Sequence, residues 1–111
     1  MQEGIDRQLR FAITHKRLIE VQYGGRLRVA EPQDYGVKNG TAKVLAYQLR
    51  ATGGSLEPRS RGWRLLALNK ISICAVSDTT FAGSRADASQ QHLVWDELFA
   101  RVEPERHDGG S

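Results

Sequence analysis

A chain of 111 residues, 40% hydrophobic and 26% charged, has the balance of one globular domain that can bury a core without disulfide or metal staples. Its apolar runs are too short to span a bilayer, and its N-terminus lacks the charged-then-apolar order of a secretion signal, so no membrane partner is expected. The net charge of +3 conceals an asymmetry. Residues 1–77 carry 13 basic against 6 acidic side chains, a net +7, whereas residues 78–111 carry 3 against 7, a net −4. Twelve of the 16 basic residues are arginine, which favours planar, two-pronged contact with carboxylate or phosphate. The acidic end can pair with the basic body or mask it.

The single cysteine, Cys74, lies in the apolar run ISICAV. It cannot form an internal disulfide, which fits a reducing, cytoplasmic setting, and its surroundings suit a small core residue better than a nucleophile.

In chain order, residues 5–17 predict an amphipathic helix, with Ile5, Leu9, Ala12 and Ile13 as its apolar stripe. LIEVQY, residues 18–23, alternates as a half-buried strand with Ile19, Val21 and Tyr23 on one face. Gly24-Gly25 supplies a tight hairpin turn. The returning strand, RLRVAEP, is read with Leu27 and Val29 inward, Arg26 and Arg28 outward, and Pro32 as its end. Asn39-Gly40 marks a second hairpin into the strand TAKVLAYQLR, residues 41–50. Residues 51–61 read as a loop rich in Gly, Ser and Arg. GWRLLAL is a strand, Asn69-Lys70 a short turn, and ISICAVSD a last strand. Residues 79–88 look irregular. Residues 89–102 predict a helix whose stripe is Val94, Trp95, Leu98, Phe99 and Val102. The tail, residues 103–111, reads as disordered.

The expected architecture is therefore mainly β: a small SH3-like or Sm-like barrel of about five antiparallel strands in a single domain, residues 1–102, with an N-terminal and a C-terminal helix. Closing the sheet would remove its exposed edges.

The order of segments resembles the WYL domain of bacterial regulators over residues 7–77. The pieces that carry the likeness are AITHKRLIEVQYGG, RVAEPQDYG, KVLAYQLR and LLALNKI. Ala42, Lys43 and Val44 stand where the family has its Trp-Tyr-Leu signature. The family's later motif falls on residues 66–71, with Lys70 in place of its last arginine and Ala67 in place of its first, a usual ligand contact. The resemblance implies an Sm-like barrel and a sensory role in transcription regulation. It also implies, as in some members, binding of nucleotides or single-stranded nucleic acid through basic residues. Members usually follow a helix-turn-helix domain; this chain reads as a short, stand-alone form, which argues against direct promoter control.

The stretch EPRSRGWR, residues 57–64, is the sharpest candidate for chemistry. Arg59, Arg61 and Arg64 can bind phosphate bidentately, and Trp63 offers a face for stacking a base. Alternation from Gly62 puts Trp63 and Leu65 on one face and Arg64 and Leu66 on the other. The plainer alternative is a solvated loop leading into a strand, with Trp63 in the core or at its rim. Arg28 and Lys43, with Arg26, are read as exposed strand positions that form one basic face or simply guard strand edges. Tyr47 and Lys70 complete the candidate ligand-binding set. The histidines are scattered and the one cysteine adds no partner, so neither a metal site nor a cofactor is expected. No nucleophile, base or phosphate-loop pattern points to an enzyme. Two functions stay open: a regulatory module binding an anionic ligand, or a protein-interaction module or homodimer that uses the C-terminal helix.

Overall fold

The computed structural model describes residues 2–52, 61–85 and 93–104. The apolar stripe near the N-terminus forms helix α1, Gln2–His15. Leu9, Ala12 and Ile13 are almost wholly buried. Lys16, at φ 54°, takes the left-handed conformation that ends the helix and turns the chain straight into the first strand.

Among the described residues six strands follow: β1 (Arg17–Tyr23), β2 (Arg26–Lys38), β3 (Thr41–Thr52), β4 (Gly62–Ala67), β5 (Ile71–Thr80) and β6 (Glu97–Arg101). They form one antiparallel sheet in the order β4-β3-β2-β1-β5, with β6 also paired to β2. One face packs under α1. Its core joins Leu9, Ala12 and Ile13 to Ile19, Val21, Ala30, Tyr35, Val44, Ala46, Leu66, Leu68, Ile71 and Val102. This face is called the inner face below, and the opposite one the outer.

Four expectations need correction. First, β2 does not stop at Pro32. Its first half pairs with β1 and its second half with β6, while β3 runs along its other edge. Pro32 falls in the gap between β1 and β6, beside a bulge that breaks the β3 ladder between Pro32 and Asp34. The missing N–H is tolerated there.

Second, Arg26 and Arg28 point inward, not outward. The two-residue turn sets Tyr23 opposite Arg26, Val21 opposite Arg28 and Ile19 opposite Ala30. Opposed residues share a face, so both arginines lie on the side of Val21 and Ile19.

Third, the helix expected over residues 89–102 is not formed in its described part. Residues 97–101 instead make β6, which satisfies the edge of β2 at Asp34–Val37. Residues 89–92 of that expectation lie outside the described residues.

Fourth, the barrel is not closed. β4 and β5 are both edge strands, linked by a single 3-10 turn, Leu68–Lys70. Side chains fill the gap: Leu68 is buried, and the Tyr23 hydroxyl accepts the Ala67 N–H at 3.3 Å, where a neighbouring strand would have done so.

The run Glu31-Pro32-Gln33-Asp34 is wholly buried and ties down the later chain. Glu31 takes a two-pronged contact from Arg85 at 2.8 and 3.0 Å. Gln33 accepts the Arg85 N–H at 3.1 Å. Asp34, with no exposed surface, receives Arg101 at 3.0 Å through both donors and the Trp95 indole N–H at 3.2 Å. The start of the expected disordered tail is also held: Ser84 donates to the Glu103 carbonyl at 3.0 Å, and Lys16 donates to that of Pro104 at 3.2 Å. Residues 105–111 lie outside the described residues.

Candidate ligand site at the arginine-rich end of the sheet

Register brings two connections together at one end of the sheet. The Gly24-Gly25 turn, the last residues of β3 and the first of β4 all lie there, since Leu27 opposes Thr52 and Gln48 opposes Gly62. Arg26, Arg28, Arg50, Arg61 and Arg64 belong to this end. Glu20, opposite Val29, is the nearby acid on the next strand.

On the inner face the arrangement is built. Arg28 donates through Nε to the Tyr23 carbonyl at 3.1 Å and through Nη1 to Gln48 Oε1 at 2.9 Å. Its guanidinium lies 5.5 Å from the centre of the Tyr23 ring. Gln48 is 1% exposed, so its amide is a fixed acceptor in the sheet rather than a surface group. Arg64, two positions along β4 from Gly62, folds back over that glycine. Its Nη1 donates to the Trp63 carbonyl at 2.9 Å and sits 3.1 Å from where a Cβ on Gly62 would stand. Gly62 opposes Gln48, so both arginines lie on the face of that buried amide, Arg28 bonded to it and Arg64 over the glycine across from it. The Tyr23, Gln48 and Trp63 oxygens that these guanidinium groups meet fix where the two arginines point.

The outer face carries the aromatic residues. Tyr47 opposes both Trp63 on β4 and Glu31 on β2. The Tyr47 and Trp63 rings meet edge to face, 5.5 Å apart at 86°. The Arg85 guanidinium lies 3.7 Å over the Tyr47 ring.

The sequence-predicted residues therefore divide. Arg28 and Arg64 come together on the inner face. Tyr47 and Trp63 come together on the outer face. Arg61 is exposed immediately before β4. Lys43 shares the outer face, five residues along β3 from Gln48, and its ammonium donates to the Lys38 carbonyl at 2.8 Å. The single basic face expected from Arg28 and Lys43 is thus not formed, because they project from opposite sides of the sheet. Lys70 is exposed on the 3-10 turn. Arg59 lies outside the described residues.

Sequence reasoning missed Gln48, Glu31, Arg50 and Arg85. The parity of the Gly24-Gly25 hairpin was a signal for Gln48, since it turns Arg28 inward toward β3. Nothing local marks Arg85, which reaches Glu31 across 54 residues.

Burial pushes the Cys74 thiol up to about 11, which favours the protonated form at neutral pH. Among the described residues no group of His, Cys, Asp or Glu is placed to hold a metal ion. No described helix is long and apolar enough to cross a membrane.

Comparison with known protein families, curated proteins and solved structures finds no match to this chain.

Proposed function

We propose that the protein is a non-enzymatic, WYL-like regulatory module built on an open, barrel-like antiparallel sheet. It binds an anionic ligand, a nucleotide or single-stranded nucleic acid, at the arginine-rich end of its sheet. The observation that carries this reading is the pair Arg28 and Arg64 on one face, Arg28 bonded to the buried Gln48 amide and Arg64 folded over Gly62 across from it. Two forked cations fixed on one face suit the oxygens of a phosphodiester or a polyphosphate. Arg26, Arg50 and Arg61 add positive charge around them, which draws a polyanion in from a distance. The +7 body of the chain and the order of segments shared with WYL domains support the same reading.

The test is direct. Pyrophosphate and oligo(dT) titrated into isotope-labelled protein should shift the Arg28 and Arg64 side-chain N–H resonances first. Changes confined to Lys43 and Lys70, or spread evenly over all surface lysines and arginines, would remove the site from this end of the sheet.

A further inference from the structure

The outer face holds a slot shaped for a planar group with two parallel donors, and the protein fills it with its own Arg85. The floor is the Tyr47 ring, with the guanidinium 3.7 Å above it. The wall is the Glu31 carboxylate, 8% exposed, which accepts Nε–H and Nη2–H side by side at 2.8 and 3.0 Å. Gln33, fully buried in the bulge, lies against the same carboxylate, with its amide nitrogen 3.5 Å from Glu31 Oε1. Trp63 closes on the edge of the Tyr47 ring.

One nucleobase copies this donor pattern. Guanine presents its ring N–H and its exocyclic amine as two parallel donors in a flat ring system. Adenine and cytosine each place an unprotonated ring nitrogen next to their amine, and that lone pair would face the carboxylate. Uracil has one donor between two carbonyl oxygens. Stacking on an aromatic ring while a polar edge is read is the usual way an unpaired base is recognised.

We propose that the Tyr47–Glu31 slot reads a guanine base, and that Arg85 is an internal placeholder displaced when the base enters. This deepens the reading of the protein as a single-strand binder and rests on it: Arg28 and Arg64 project from the other face, so a strand rather than a single nucleotide would meet both sites. The placeholder keeps Glu31 paired in the ligand-free protein, so the carboxylate is never left buried alone. It also makes the site selective, because only a base that replaces both donors restores what Arg85 gave up.

The experiment compares labelled 12-nucleotide RNAs of alternating U with G, A or inosine, which lacks the exocyclic amine. Wild type, Arg85→Ala and Arg85→Lys are titrated, each first checked by circular dichroism. In parallel, guanosine without phosphate is titrated while the Trp63 indole N–H resonance is followed. The inference expects Arg85→Ala to bind the G-containing RNA roughly tenfold or more tightly than the A- or inosine-containing RNA, the discrimination of one good bidentate pair. Arg85→Lys, which cannot fill the fork, should do the same, and the preference should be smaller in wild type. Glu31→Gln, or Tyr47→Leu if that variant folds poorly, should abolish it.

Equal binding of all three RNAs, lost in Arg28→Ala/Arg64→Ala, overturns the guanine assignment and leaves the phosphate site standing. No RNA binding with a guanosine-dependent Trp63 shift in Arg85→Ala supports the slot and overturns the phosphate site. Silence in both overturns both. Displacement of Arg85 by an arginine-rich peptide, with no response to guanosine, would also overturn the assignment and make the slot a receptor for a partner's arginine.

Discussion

Tyr35 shows how one residue links the helix to the sheet. It is 2% exposed, and its hydroxyl donates to Asp6 on α1 at 2.7 Å. That hydrogen bond, helped by Arg10, holds the Asp6 carboxyl below its ordinary range, against a smaller opposing effect of burial. Burial first, and then the hydrogen bond to Asp6, push the phenol above the ordinary tyrosine range. The signs follow from linkage. Asp6 favours the folded state above the ordinary carboxylate pKa and loses that contribution as pH falls through its lowered value. Tyr35 contributes below the ordinary phenol pKa and loses its contribution as pH rises above it. Tyr35→Phe should therefore raise the Asp6 pKa toward 3.8 and weaken the stability that Asp6 adds at neutral pH. A carboxyl-carbon NMR titration beside a urea unfolding series checks both. An unmoved Asp6 titration would mean that Arg10 and Arg7 set it without the phenol. This pair was not legible in the sequence, because Asp6 and Tyr35 are 29 residues apart and neither carries a local signal. The stripe of Leu9, Ala12 and Ile13 was legible, because helical period alone decides it.

At the scale of elements, strand pairing decided what local pattern left open. Val94, Trp95, Leu98, Phe99 and Val102 fit a helical stripe, yet Glu97–Arg101 is a strand. The second half of β2 has backbone groups on that edge that need partners, and such a demand from 60 residues away outweighs a short helical pattern. Gly36 makes the fit possible. A Cβ there would run into the Glu97 carbonyl oxygen and stand 3.0 Å from the Leu98 Cα. Gly36→Ala should cost about 1–3 kcal/mol in urea unfolding, the usual range for overpacking, and should speed amide exchange in residues 97–101. An unchanged midpoint with unchanged exchange would show that β6 is not held as described. Arg101 secures the same strand from its side chain. Arg101→Ala takes both ion-pair bonds from the buried Asp34 carboxylate, so a loss on the order of 2–4 kcal/mol is expected by the same assay. The first hairpin teaches the opposite lesson: its turn length was readable and already fixed the inward direction of Arg28, while the hydrophobicity of Leu27 and Val29 pointed the other way. Leu27 is in fact exposed and Val29 is buried on the outer face.

For the whole molecule, the helix, the hairpins and the succession of β1 to β5 follow from period and turn chemistry, so most of the sheet could be written down from the sequence. Closure and the last strand could not, since they depend on side chains such as Leu68 and Tyr23 filling a gap between edges. The site divides the same way. The arginine content and the split between a +7 body and a −4 end are visible in the composition. The gathering of Arg26, Arg28, Arg50, Arg61 and Arg64 at one end is a product of register. The measurement that tests the central claim most directly is fluorescence anisotropy of labelled single-stranded DNA and RNA across a salt series, with wild type beside Arg28→Ala/Arg64→Ala. If about three phosphates are met, affinity should fall roughly 20-fold between 50 and 200 mM salt, and the double variant should bind weakly with a flatter slope. Binding by both proteins with the same affinity and the same slope, or by neither at low salt, would contradict an anion site at this end of the sheet.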